Sequence, residues 1–223
     1  MTKKIGIIGS GMVGKALATG LTKHGYEVMI GSREPEKITE WEGKKGTFSE
    51  TAAQADIILL AVKGAVAQDA LMLCGAENLK GKTVIDVTNP IADLPPENGV
   101  LRFFTNLDES LMERLQKTMP EVHFVKAFNS VGNAHMIDPN FDEKPTMFIC
   151  GNNEEAKKEV SALLVEVGWE AEDMGGAQAA RAIEPLCMLW CIPGLLKNQW
   201  THAFKLLKMK AGKRLNSASF PLV

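Results

Sequence analysis

The 223-residue chain has little of several things that would mark a specialised class. It has no charge excess: 25 Lys+Arg stand against 27 Asp+Glu, for a formal charge of −2, and no Lys/Arg block interrupts the balance. A nucleic-acid partner leaves a basic stripe or patch, so none is expected. Cysteine is sparse, at four residues, and Cys187 and Cys191 lie four apart with no further Cys or His cluster to complete a zinc site. Reduced, mostly buried thiols and no bound metal are expected. Long apolar runs are missing too: Ile5 to Ile8 is too short for the core of a signal peptide, and Leu186 to Leu196 falls below the roughly 20 residues of a membrane span. A cytoplasmic chain without a membrane span is expected. The single Tyr, Tyr26, excludes a Tyr-x-x-x-Lys proton relay, and none of the four His sits in a recognisable His–Asp arrangement.

What is present is ordinary globular material, 45% hydrophobic and 23% charged, in a chain long enough to bury roughly 70% of its unfolded surface. Apolar runs alternate with segments of helical period up to about residue 175, the pattern of strands and helices interleaved around a parallel sheet. Strands are predicted at Lys4 to Ile8, Glu27 to Gly31, Ile57 to Val62, Thr83 to Val87, His123 to Phe128, Thr146 to Cys150 and Glu170 to Asp173. Between the first two, Met12, Val13, Ala16, Leu17, Gly20 and Leu21 recur at helical spacing, with Gly25 placed to close the helix. The turn cluster Pro95 to Gly99 leads towards a predicted helix from Leu107 to Lys117, capped by Asn106 or Asp108. After Gly175-Gly176 only helix is expected, broken or kinked at Pro185 and punctuated again at Pro193-Gly194. The expected fold is α/β: a Rossmann-type, doubly wound, mostly parallel sheet over residues 1–176, with a short C-terminal helical extension over 177–223 that is not an independent domain.

Gly9-Ser10-Gly11-Met12-Val13-Gly14 is a complete G-x-G-x-x-G placed directly after a strand and opening a helix. The first Gly permits the tight turn, the second lets a pyrophosphate approach the backbone, and the third lets helix and strand pack closely. The helix N-terminus adds unpaired N–H donors and partial positive charge. An NAD site would carry Asp or Glu at the end of the second strand, about 20 residues on. Ser32 and Arg33 stand there instead, followed by Lys37. A hydroxyl, a planar guanidinium fork and an ammonium suit the 2′-phosphate of NADP(H); the alternative is that Arg33 and Lys37 are solvated charges paired with Glu34 or Glu36.

Later strand ends should face the nicotinamide: Ala61, Val62 and Lys63; Asn89 and Pro90; and Asn129. Asn89 and Asn129 could bond a carboxamide or an acceptor while Val62 and Pro90 wall the site, although Asn and Pro also end strands for reasons of turn chemistry. Arg181 and Glu184, three apart on a predicted helix, suggest an ion pair. No catalytic acid or base is assigned, since hydride transfer between two rings needs orientation and excluded water rather than a proton relay.

These residues resemble the NADP oxidoreductases that depend on a deazaflavin coenzyme, F420. The resemblance rests on the G-x-G-x-x-G, the strand-end Gly31-Ser32-Arg33 with Lys37 four residues after Arg33, and the C-G-x-x-x-E-A-K of Cys150 to Lys157. It implies hydride transfer between NADP(H) and a deazaflavin, with Ser32, Arg33 and Lys37 on the 2′-phosphate. Val125 to Asn129 and Asp173 to Gly175 are similar to the NADPH domain of the six-transmembrane metalloreductases, which implies FMN or FAD as another acceptor. The Pro95 to Phe104 loop and the helices from Pro185 onward depart from the deazaflavin enzymes. Imine and β-hydroxyacid reductases share the glycine motif, but they carry a long helical second domain and a catalytic Lys that Gln178 to Pro185 does not offer. A non-enzymatic NADPH sensor is a further alternative. The apolar and Trp-rich stretch from Leu186 to Trp200 suggests a homodimer, or a helix folded onto its own core.

Overall fold

The computed structural model describes residues 3–209. The first apolar run forms strand Lys4–Ile8 (β1), and the chain returns through helix Met12–Lys23 (α1) to strand Glu27–Gly31 (β2), parallel to β1 with Lys4 opposite Glu27 and Ile8 opposite Gly31. α1 buries Gly14, Leu17, Ala18 and Leu21 as one stripe on the sheet. It closes where Gly25 takes φ +84° and Tyr26 donates its N–H to the Leu21 carbonyl.

Two elements follow that hydrophobic period does not reveal. Edge strand Lys44–Gly46 (β3) has three residues, two of them Lys. Helix Phe48–Gln54 (α2) opens with a capping box in which Thr47 accepts from the Glu50 N–H and the Glu50 carboxylate accepts from the Thr47 N–H. Then come Ile57–Leu60 (β4), Ala67–Cys74 (α3), Ala76–Leu79 (α4), Thr83–Asp86 (β5), Leu111–Thr118 (α5), His123–Lys126 (β6), Thr146–Gly151 (β7), Glu154–Glu166 (α6), Glu170–Asp173 (β8), Ala180–Ile183 (α7) and Pro185–Lys197 (α8).

The strands form one sheet in the order β3-β2-β1-β4-β5-β6-β7-β8, parallel throughout except where β7 runs against β6. This is the expected Rossmann-type α/β fold. Helices α1 and α6 cover one face over a core that includes Ile7, Leu59, Val125 and Trp169; α2, α3, α5 and α7 cover the other over Ile58, Val84 and Phe124. Strand order reverses between β1 and β4, so a crevice opens outside the carboxyl ends of the strands there.

Several expectations need correction. β4, β5 and β6 stop one or two residues early; beyond β6, Phe128 takes φ +61° and leaves the extended region. α5 is capped by Ser110 rather than Asn106 or Asp108, in a second capping box with Glu113. Asn106 closes a local turn instead, its Oδ1 accepting from the N–H groups of Asp108 and Glu109. Pro185 does not break the chain, because it occupies the first position of α8, where no N–H is needed and its φ fits. The helix also runs on through Pro193 and Gly194 to end at Asn198, φ +53°.

Ala177–Lys197 therefore reads as one helical run of 21 residues with mean hydropathy 1.3 in its most apolar window, which by length and composition alone would reach across a membrane, as the core helix of a globular protein also can. In this fold Trp190, Cys187 and Glu184 within it are buried against the protein. Past Asn198 the described chain is irregular rather than helical and returns along β7, where the Phe204 carbonyl accepts from the Thr146 N–H at 2.9 Å. Residues 210–223 of the expected extension lie outside the described ones.

Candidate functional site

The glycine loop has the geometry that each glycine's role requires. Gly9 sits at φ +126°, and a Cβ there would lie 2.3 Å from the Ala61 carbonyl oxygen; at Gly14 it would lie 2.0 Å from the Gly9 carbonyl oxygen. These two glycines bring β1, β4 and α1 into contact. Gly11 differs: it is exposed, its φ is an ordinary −74°, and a Cβ there would meet nothing within 4 Å. Gly11 caps α1 with no side-chain hydrogen bond, so first-turn N–H groups face open space that a side chain at position 11 would fill. Residues so arranged fit a pyrophosphate. Gly11→Ala should therefore leave the unfolding midpoint within about 2 °C while raising the NADPH dissociation constant about tenfold or more through lost charged hydrogen bonds. Calorimetry and thermal unfolding on one preparation check both halves.

At the end of β2 the chain passes beside this loop. Ser10 Oγ lies 3.5 Å from Ser32 Oγ, while Ser32 donates its N–H to the Gly46 carbonyl and accepts from the Glu34 N–H. Arg33 is exposed and makes no ion pair among the described residues. Lys37 is in a 3-10 turn, Pro35–Lys37, and its ammonium pairs with Glu34, as the alternative reading had it. Arg33 thus faces solvent unengaged, whereas Lys37 would have to exchange Glu34 for a phosphate.

Ala61 and Val62 follow β4 half-buried, and exposed Lys63 opens the next turn. A Cβ on Gly64 would lie 2.1 Å from the Asn89 carbonyl oxygen, so the ends of β4 and β5 are in close contact. Asn89 and Asn129 pair across the ends of β5 and β6: Asn89 Nδ2 donates to the Asn129 carbonyl at 2.8 Å, and Asn129 Nδ2 donates to Asn89 Oδ1 and to the Ile183 carbonyl at 3.0 Å. Asn89 is half-buried and reaches the surface, while Asn129 is interior with its Oδ1 unpaired among the described residues. Asn89 is therefore the member of the pair that reaches the surface, and its side chain is fixed by Asn129. The φ of +61° at Phe128, rare for an aromatic side chain, is what turns Asn129 out of the strand line.

Behind this pair lies a buried charge cluster. Lys126, the last residue of β6, is fully buried, with its Nζ 2.7 Å from Asp86 Oδ2, 3.0 Å from Glu184 Oε1 and 2.9 Å from the Thr88 carbonyl. Glu184 also accepts the N–H groups of Leu111 and Met112 in the first turn of α5, both at 3.0 Å. Burial would lower the Lys126 pKa, but the two carboxylates outweigh it and hold the ammonium above its ordinary value. The cluster joins β5, β6, α5 and the α7–α8 junction. It also corrects the expected Arg181–Glu184 pair: Glu184 turns inward to Lys126, while Arg181 reaches Glu113 through Nε at 2.9 Å and Nη2 at 2.7 Å. Led by those Arg181 bonds, Glu113 is held down to about 2.

The family model described as NADP oxidoreductase, coenzyme F420-dependent, matches residues 4–90, the span from β1 to Pro90 that carries the glycine loop, Ser32, Arg33 and Asn89. The F420-dependent NADP reductase of Methanocaldococcus jannaschii is 32% identical over 202 residues, covering 83% of this chain and 90% of that protein. The chain belongs to this family. A crystal structure of an Arthrobacter family member, described as a putative F420-dependent NADP-reductase, is 30% identical with a TM-score of 0.85, and the match covers 92% of this chain and 100% of that one. The rat metalloreductase STEAP3 is 32% identical over 201 residues, but the chain spans only 39% of its length. Membership places the chain in a class of NADP-dependent oxidoreductases, and the open Gly11 cradle and unengaged Arg33 fit the cofactor that the family name carries.

Sequence reasoning missed Asp86, Lys126 and Glu184 as a unit. The available signal was a Lys inside an apolar run assigned to a buried parallel strand, which demands a counter-charge. Nothing local pointed to Glu184, because its partners are far away in the chain.

Proposed function

We propose that the chain transfers a hydride between NADP(H) and a deazaflavin or flavin ring, as a cytoplasmic enzyme. The observation that carries this is the exposed Arg33, without an ion-pair partner among the described residues, on the strand end beside the open Gly11 face, where an NAD site would present a carboxylate. When bound, the cofactor supplies the hydride at its nicotinamide ring; the acceptor takes it with one proton from water, and NADPH becomes NADP⁺. The chain's part is to bind and orient: first-turn N–H groups of α1 for the pyrophosphate, Ser32 and Arg33 for the 2′-phosphate, and Asn89, held by Asn129, for the carboxamide. Val62 and Pro90 wall off water. Buried Cys74, Cys150 and Cys187, all unpaired, fit a reducing compartment.

The test is NADPH oxidation with F420, FMN, FAD and small carbonyls as acceptors; turnover with carbonyls alone would overturn the reading. His135, half-buried with its ring tilted 46° against Phe141 at 5.4 Å between centroids, is given no proton to move. His135→Ala should therefore keep turnover within about threefold, against the 10²–10⁴ that general acid–base help is worth.

Leu189, Leu196 and Trp200 remain exposed on and after α8, although Trp190 folds back over Gly132. We assign that face to a homodimer, and sedimentation at micromolar concentration should give twice the chain mass of 24.3 kDa.

A further inference from the structure

Resting on the acceptor reading above, we propose that the cavity between the 103–107 loop and the α7–α8 junction seats the acceptor's ring. We assign to Arg181 the selection of rings that present an ionised or strongly polarised oxygen edge.

The cavity measures about 160 Å³ and is walled by Phe103 and Leu107 on the loop side and by Pro185 and Met188 on the helix side, with Asn106 and Arg181 as polar handles. Whole ligands fill pockets of roughly 300–1,000 Å³, so this one takes a flat ring and leaves a polar tail in solvent. Both walls are fastened to the asparagine strand ends that would face the nicotinamide. On the loop side, Phe104 donates its N–H to the Pro90 carbonyl at 2.9 Å, and Phe103 bridges Ile91. On the helix side, the Ile183 carbonyl accepts from Asn129 Nδ2, and Glu184, which lines the cavity floor, is held by Lys126. The two walls are thus tied, through Pro90 and Ile183, to the strand ends that carry Asn89 and Asn129, and the reduction balances as above, with one hydride from the nicotinamide and one proton from water.

Arg181 is oriented before any ligand arrives. Glu113 takes its Nε and Nη2, and Glu113 is itself fixed by the Ser110 capping box, so the guanidinium plane is set. Among the described residues Nη1 donates to nothing, and the side chain is 41% exposed. A pre-set planar donor at the lip of an apolar slot recognises an oxygen edge in the plane of the ring.

The experiment measures dissociation constants for oxidised F420 and for FMN by fluorescence titration without NADPH, alongside the NADPH constant and acceptor KM, in the wild type and three variants. Met188→Trp fills the slot and should abolish ring binding. Leu107→Glu, at a position 74% exposed and so harmless to folding, should weaken it about tenfold by placing negative charge at the lip. Arg181→Met should weaken it about tenfold to a hundredfold. NADPH affinity should stay within twofold in all three. Unchanged ring affinity in Leu107→Glu and in folded Met188→Trp overturns the site, and unchanged affinity in Arg181→Met overturns the selection. A wild type that binds NADPH but neither ring overturns the proposed function itself, and this inference with it.

Discussion

Replacing Arg33 with Asp is expected to raise the NADPH dissociation constant by about two to three orders of magnitude while moving that of NADH by less than about threefold. Arg33 is exposed beside the Ser10–Ser32 contact and has no ion-pair partner among the described residues, so its fork has no internal competitor for a phosphate. Losing a charge-assisted bond removes about 1.5–3 kcal/mol, and every 1.4 kcal/mol is tenfold. Like charge against the phosphate adds to that loss, and NADH lacks the group that either change touches. Parallel titrations of the two nucleotides check it, and an equal loss for both would show that Arg33 holds some part they share. Lys37, already held by Glu34, should matter less: Lys37→Ala removes a cation that first has to leave its partner.

The largest effect on stability is expected at Lys126. Lys126→Met leaves Asp86 and Glu184 buried without their cation, and removing one member of a buried ion pair typically costs about 3–5 kcal/mol. In a chain of this size each kcal/mol moves the midpoint by about 2–4 °C, so a fall of roughly 10 °C is expected. Because the folded-state pKa of Lys126 lies above its ordinary value near 10.5, the stability it contributes is fully present below that pH and is lost as pH rises through the raised value. Urea unfolding between pH 9 and 12 should show the wild type losing stability with rising pH more steeply than the variant. Parallel slopes would mean that the ammonium is not held charged by its two carboxylates.

The glycine loop, β1 and β2 were legible because their signals are local: a turn motif, a period and an apolar run. The capping boxes Thr47–Glu50 and Ser110–Glu113 were equally local, yet period reading passes over them, since a cap is a pair of residues rather than a repeat. Pro185 misled because proline is read as a breaker, and only the position of the helix start shows that it is an opener. The Asp86–Lys126–Glu184 cluster and the cavity beside it were out of reach for another reason. Glu184 is separated from Leu111 by 73 residues, and no pattern along the chain states which distant carboxylate meets which backbone N–H. Arg181 and Glu184 show the limit well: spacing made them partners, and burial sent them opposite ways.

The strap of chain that returns to β7 also bears on how the molecule is made. Thr146, at the head of β7, has its N–H taken by the Phe204 carbonyl, and its hydroxyl accepts from the Leu206 N–H 60 residues further on. During synthesis, that end of the sheet emerges from the ribosome well before the segment that covers it, whereas β1, α1 and β2 can assemble from neighbours already made. The nucleotide half is thus able to mature early, while the far edge must wait for residues 204 to 206, so a nascent chain stalled short of residue 204 leaves the head of β7 unpaired and open to chaperones.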